Sequence, residues 1–157
     1  MLLPLAVTHL SVCGPAYGMP GKTTRQGCGT ARRERHGGHH VRRYGLGRPE
    51  AARELEKDGL SLEVVDLRTL LPYDEEAVLA SVRKCNKVIL LHEDTRTGGM
   101  AGELAALIAE KAFEDLDGPI MRITAPDTPV PFSPPLEEYF LPNARKVVEA
   151  ARKLAEF

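Results

Sequence analysis

The residues best able to do chemistry are His92, Glu93 and Asp94, which directly follow the apolar run of residues 87–91. An imidazole beside two carboxylates could act as a general base or bind a metal ion. Ligands of α/β sheets bind where strands end, which is where this triplet is expected. Since the sequence offers no second set of ligands, we favour an interface loop in which His92 is hydrogen-bonded.

Gly98 and Gly99 form a second candidate, because they precede a predicted helix whose N-terminus could hold a phosphate. The spacing lacks the lysine of a P-loop and the third glycine of a dinucleotide-binding loop. A tight turn with close packing is therefore the favoured interpretation. The sequence assigns no catalytic, cofactor-binding or metal-binding residue.

An acidic cluster, Glu110, Glu114, Asp115 and Asp117, follows at the predicted end of that helix. The C-terminus of a helix already carries partial negative charge, so the cluster is oddly placed for stability alone. It is either a solvated face or an electrostatic docking site for a basic partner. The C-terminal carboxylate of Phe157 could contribute to the same surface.

The elements that position these residues alternate along the chain from residue 50 onward. Short apolar segments predict strands, and segments with one apolar side predict helices. A helix over residues 50–58 is expected to end at Gly59, and Asp74 and Asn143 are expected to cap two later helices. The predicted strands are residues 62–66, 87–91 and 120–124.

A proline-rich stretch, residues 126–142, precedes the last helix. Its prolines are expected to exclude a helix and to favour an extended, rigid strap. Phe132, Tyr139 and Phe140 on such a strap would suit either a dimer contact or packing on the domain's own core. Single helices between strands predict an α/β fold of three layers over residues 50–157, with a mostly parallel sheet flanked by helices.

Residues 1–49 have a different character, with a strongly basic charge balance and no regular periodicity. They are expected to be irregular and poorly ordered. Reading the codons one base later over roughly residues 23–48 permits a β-branched strand, so a frameshifted segment is our hypothesis there. The other interpretations are a basic nucleic-acid arm and a His-rich metal tract.

Composition narrows the class of protein. The net charge of -1 argues against nucleic acid as the main partner, and no apolar run approaches the ~20 residues that span a bilayer. Cys13, Cys28 and Cys85 are an odd number without a known spacing, so they indicate neither a disulfide framework nor a zinc site. A cytoplasmic location is the expectation.

Three stretches of this chain resemble one protein family. They are the strand and turn of residues 61–74, the sequence His-Glu-Asp-Thr-Arg-Thr-Gly-Gly at residues 92–99, and residues 125–132 with Leu141, Pro142 and Asn143. In continuous order, they are similar to the transketolase-like C-terminal domain of the beta subunit of thiamine-diphosphate-dependent 2-oxo acid dehydrogenases. The branched-chain (2-oxoisovalerate) and pyruvate types are the most similar.

The resemblance implies an assembly and docking domain, present as a fragment, of the component that oxidatively decarboxylates a 2-oxo acid. Its implied partners are a second beta subunit, an alpha subunit and the dihydrolipoyl acyltransferase core. Thiamine diphosphate and magnesium would belong to the parent complex, and this chain alone would bind no cofactor and be catalytically silent. The alternatives are another transketolase-like enzyme, or a stand-alone nucleic-acid- or metal-binding protein acting through its basic N-terminal tract.

Overall fold

A computed structural model describes residues 7–13, 48–67 and 70–157, with only the backbone described for residues 7–13 and 48–50. Helices and strands alternate from residue 48 to the C-terminus. The elements are β1 Val7–Cys13, α1 Arg48–Lys57, β2 Ser61–Asp66, α2 Glu75–Cys85, β3 Val88–Thr95, α3 Met100–Lys111, a 3₁₀ turn Phe113–Asp115, β4 Met121–Ala125, α4 Pro134–Phe140 and α5 Ala144–Ala155.

The four described strands form one sheet in the order β2-β1-β3-β4. Strands β3 and β4 pair in parallel, while β1 pairs antiparallel with both β2 and β3. Strands β2, β3 and β4 therefore run in one direction, and β1 runs against them. The expected α/β fold with a mostly parallel sheet is confirmed.

Within the N-terminal segment that is expected to be irregular, the structure describes one strand, at residues 7–13. These residues form β1, which occupies a central position, with Leu10 in register opposite Val64 on one side and Ile89 on the other. Both neighbouring strands therefore have a hydrogen-bonding partner at this position. Residues 1–6 and 14–47, which include the basic His-rich run and nearly all of the hypothetical frameshift, lie outside the described residues.

Two apolar cores, one on each face of the sheet, give the three expected layers. Successive strand residues point to opposite faces. Ile89 and Leu91 accordingly pack with α1 and α5, while Leu90 packs with α2 and α3. All three are fully buried. Each such side chain contributes about 1.5–3 kcal/mol to the stability of the fold. Strand β3 therefore stabilises both cores.

The predicted helix ends are confirmed at three positions. Gly59 follows α1 with a φ of 75°, a left-handed conformation that favours glycine. Asp74 Oδ1 accepts a hydrogen bond from the Ala77 amide at 3.0 Å, and Asn143 Oδ1 accepts one from the Lys146 amide at 3.0 Å. These caps satisfy amides that have no partner within their own helices.

The prediction that prolines exclude a helix between residues 126 and 142 is wrong, because α4 spans Pro134–Phe140. Its two prolines occupy the first turn, where the missing amide would have no intrahelical partner and the fixed φ suits a helix. We use the name strap for residues 126–142, which now include a short helix.

The prediction about cysteines also needs correction, because Cys85 is disulfide-bonded. It lies at the end of α2 and is 7% exposed. The partner's side chain lies outside the described part of the chain. An odd cysteine count without a motif does not exclude a single disulfide, which depends on spatial proximity rather than on spacing in sequence.

Candidate functional site

The triplet His92, Glu93 and Asp94 lies within β3 rather than in a loop after it, because that strand continues to Thr95. The sequence prediction ended the strand at residue 91, where apolar residues stop. The register of β3 against β4 shifts between Leu91 and Thr95, so the triplet lies at an irregularity of the strand. His92 is fully buried, Glu93 is half-buried and Asp94 is exposed.

His92 is an enclosed, neutral side chain. Its Nδ1 accepts a hydrogen bond from the Asp94 amide at 3.2 Å, so the neutral ring carries its proton on Nε2. Nε2 is buried and has no hydrogen-bond partner among the described residues. Burial lowers the pKa of His92. The negative charge of Asp94 raises this pKa, and the positive charge of Arg122 lowers it further, so that the net effect is a lowered pKa. A general base needs an accessible lone pair, and this ring offers none.

The carboxylates beside His92 do not converge with it. Asp94 Oδ1 accepts a hydrogen bond from the Thr95 amide at 2.8 Å, so it is engaged with its own turn. Burial raises the pKa of the Glu93 carboxyl above its ordinary value. The three residues are neighbours in sequence, but the structure does not assemble a catalytic group from them.

Gly98 and Gly99 form the tight, closely packed turn that the sequence favoured. Gly98 has a φ of 73°. A Cβ added to Gly99 would lie 2.4 Å from His92 Cε1 and 2.4 Å from the Thr95 carbonyl oxygen. Real Cβ atoms do not approach other atoms this closely. Only glycine allows α3 to begin directly against the His92 ring.

Neither a magnesium ion nor thiamine diphosphate fits the described donors. Magnesium prefers several oxygen ligands in near-octahedral geometry, whereas the described residues hold no group of three or more His, Cys, Asp or Glu residues suited to a metal ion. The turn at Gly98 and Gly99 lacks the lysine with which a P-loop binds phosphates.

The acidic cluster is only partly available to a partner. Asp115 is half-buried, and Arg83 Nε lies 3.4 Å from its carboxylate. Its carbonyl oxygen accepts a hydrogen bond from Asn86 Nδ2 at 2.6 Å, and the Asp117 amide donates to the Asn86 carbonyl at 2.8 Å. Asp115 therefore holds the 3₁₀ turn that follows α3 against the end of α2, as well as carrying charge.

The remaining members of the cluster are exposed, and the last of them, Asp117, lies near Phe157 in the fold. A Cβ added to Gly118, the residue after Asp117, would lie 3.3 Å from Phe157 Cβ. Phe157 is 66% exposed. We call this surface the acidic end and define it as Glu110, Glu114, Asp117 and Phe157.

The strap exposes apolar side chains that the sequence left ambiguous. Of the three aromatic residues considered there, Phe140 is buried, Tyr139 is 74% exposed and Phe132 is 100% exposed. Val130 and Leu136 are also exposed and were missed. The spacing of Leu136 and Tyr139 along one side of α4 could have identified them, had the helix been predicted. We define the strap face as Val130, Phe132, Leu136 and Tyr139.

The family follows from a match between residues 49–147 and the transketolase, C-terminal domain model. The chain belongs to the transketolase C-terminal domain family. This segment contains α1 to the start of α5, and therefore β3, the strap and the acidic residues at positions 110–117. Among the helices that the structure describes, none is long and apolar enough to cross a membrane.

This transketolase C-terminal domain is similar to beta subunits of the kind that the sequence resembled. It is 50% identical over 109 residues to the 2-oxoisovalerate dehydrogenase subunit beta of Bacillus subtilis, covering 69% of this chain and 33% of that protein. It is 46% identical over 108 residues to the pyruvate dehydrogenase E1 component subunit beta of the same organism, covering 69% and 33%.

A solved structure agrees with the fold. A split-gene transketolase described as an inactive beta4 tetramer matches with a TM-score of 0.56 and 28% sequence identity, covering 69% of this chain and 34% of that one. The chain spans about a third of the length of the curated relatives that it matches. The resemblance to beta subunits of 2-oxo acid dehydrogenases is confirmed for this C-terminal domain.

Proposed function

We propose that this chain is an assembly and docking module of the decarboxylating component of a 2-oxo acid dehydrogenase, and that its strap face binds a second chain of the same kind. The observation that carries the proposal is the complete exposure of Phe132, with three further exposed apolar side chains close to it in sequence. Exposed apolar surface of this kind on a folded domain marks interaction sites. Aromatic residues in such patches supply much of the binding energy.

A second chain of the same kind is the favoured partner of the strap face, because the matching split-gene transketolase is described as a beta4 tetramer. Chains of this type therefore self-associate in at least one relative. Symmetric association also needs no further partner, since a self-complementary patch meets its own copy across a two-fold axis.

Sedimentation equilibrium tests this proposal with two matched variants of the full chain. Phe132→Ser removes the most exposed aromatic side chain of the strap face, whereas Phe113→Ser removes one that is 72% exposed elsewhere. The wild type and Phe113→Ser should self-associate, and Phe132→Ser should remain monomeric at the same concentrations. Equal association of both variants would contradict the role of the strap face.

A second proposed role is docking of the dihydrolipoyl acyltransferase, through a basic segment, at the acidic end. The support is the exposure of Glu110, Glu114 and Asp117, together with the exposed Phe157 ring that lies near Asp117. Opposite charges speed association and make it salt-dependent. A titration of the chain with that acyltransferase's subunit-binding domain should weaken with salt and with Glu114→Gln, but not with Glu103→Gln in the first turn of α3.

The parent reaction is proposed to be thiamine-diphosphate-dependent oxidative decarboxylation of a branched-chain 2-oxo acid or pyruvate. The identities of 50% and 46% to the two beta subunits support both substrate classes. Other chains would supply the thiamine diphosphate and magnesium, and an alpha subunit is a proposed partner. Turnover of a 2-oxo acid by the purified chain with added cofactor would contradict this division of labour. The cytoplasmic location stays a prediction.

A further inference from the structure

Hydrogen bonds from one lysine of α5 hold the end of the strap, and we call this contact a tie. Lys146 Nζ donates hydrogen bonds to the carbonyl oxygens of Tyr139 at 2.7 Å and Leu141 at 3.1 Å, and lies 5.5 Å from the centre of the Tyr139 ring. The Lys146 amide is itself held by Asn143 Oδ1. The Lys146 ammonium group thus binds carbonyl oxygens at the C-terminal end of α4, where the last carbonyls of a helix have no partner within the helix.

A second tie, formed by the hydrogen bonds that one aspartate accepts, holds the beginning of the strap. Asp127 Oδ1 accepts a hydrogen bond from the Thr97 amide at 2.9 Å, and its Oδ2 accepts one from the Thr97 hydroxyl at 2.7 Å. Thr97 lies between β3 and α3, so this contact connects the strap to the centre of the domain. Hydrogen bonds to an ionised carboxylate are stronger than those between neutral groups.

The strap face lies between these two ties, and its four side chains are too exposed to be held by the domain's own core. We propose that Lys146 and Asp127 are positioning residues that hold the strap face in the conformation that binds a second copy of this chain. This inference rests on the proposed function, which assigns self-association to the strap face. A surface ordered before binding loses less conformational freedom on association, and so binds more tightly.

Variants of the full chain at each tie, each with a matched control, test this role. Lys146→Met removes the donor and the charge, Lys146→Arg restores both, and Lys153→Met removes an exposed lysine elsewhere on α5. Asp127→Asn is compared with Glu76→Gln, which removes an exposed carboxylate on α2. Sedimentation equilibrium measures self-association, and thermal unfolding verifies the fold.

Self-association should weaken about tenfold or more in Lys146→Met and in Asp127→Asn, whereas Lys146→Arg and both controls should stay within about threefold of the wild type. The unfolding midpoints of Lys146→Arg and the controls should stay near that of the wild type. If Lys146→Met is poorly folded, Asp127→Asn decides the matter, because its exposed loop contributes little to the core.

The possible failures of the two proposals are distinguishable. A wild-type chain that remains monomeric contradicts the proposed function, and the positioning role with it. A wild type that self-associates, together with Lys146→Met and Asp127→Asn that do so equally tightly, overturns the positioning role alone. Weakened association with Lys146→Arg as severe as with Lys146→Met would also overturn it, since the arginine retains the charge and donors.

Discussion

The centre of the sheet and the strap use similar side chains in opposite ways. In β3 and α3, apolar side chains such as Leu90, Leu104 and Ile108 are fully buried within the chain. On the strap, Phe132 and Tyr139 are largely exposed. The first region obtains its hydrophobic stabilisation on folding, and the second can obtain it only on association. Residue type alone therefore does not separate a core from an interface.

The largest effect is expected in the buried region. Leu104 lies on the sheet side of α3 and is 0% exposed. Leu104→Ala should lower the free energy of unfolding by about 2–5 kcal/mol, because it removes buried methyl groups and leaves a cavity. Urea unfolding followed by circular dichroism measures this. A loss as small as that of a surface substitution would mean that α3 is not packed as described.

A somewhat smaller loss is expected where α3 meets His92. Gly99→Ala would force a Cβ against the ring and a carbonyl oxygen, and should lower the free energy of unfolding by about 1–3 kcal/mol. Gly102→Ala is the matched control, since the nearest atom to an added Cβ there lies 3.9 Å away. The control should be neutral or stabilising by about 1 kcal/mol. Equal effects in the same urea experiment would refute the close contact.

The pH dependence of stability reports on the buried His92 ring. The folded chain holds this side chain neutral, with its pKa below the ordinary value of 6.5, so the unfolded chain binds the proton more readily. Stability is therefore retained above pH 6.5 and falls as the pH drops below it. His92→Gln should show a smaller fall over that range than the wild type. Parallel pH profiles of unfolding would show that the ring is not buried as a neutral group.

The smallest effect on folding is expected in the strap. Phe132→Ser should change the free energy of unfolding of the monomer by less than about 0.5 kcal/mol, because the side chain has no contact to lose. Urea unfolding at low protein concentration, where association is absent, provides the measurement. A loss comparable to that of Leu104→Ala would place Phe132 in the core and remove the contrast between the two regions.

Most elements of the sheet and its helices could be predicted from sequence, because their apolar periodicity matches their burial. Asp74 and Asn143 cap helices as expected, and residues 62–66 and 120–124 correspond closely to β2 and β4. The continuation of β3 through His92 to Thr95 could not be predicted. Polar residues there break the apolar run, although the backbone continues its pairing with a neighbouring strand.

Other features depend on contacts between residues that are distant in sequence. Residues 7–13 form a strand because β2 and β3 provide partners on both sides. The strap's ties require Lys146 to reach Tyr139 and Asp127 to reach Thr97, 30 residues away in the latter case. The exposure of Phe132 was equally unpredictable, since an aromatic residue among prolines suits a core and an interface alike.

Amide hydrogen exchange of the full chain at low and at high protein concentration measures whether the strap face is an association surface. Exchange over α4 and the residues around Phe132 should slow at high concentration, while exchange in β3 should not change, because its amides are already protected in the monomer. Exchange rates of the strap that do not depend on concentration, or slowing confined to another surface, would contradict this role of the strap face.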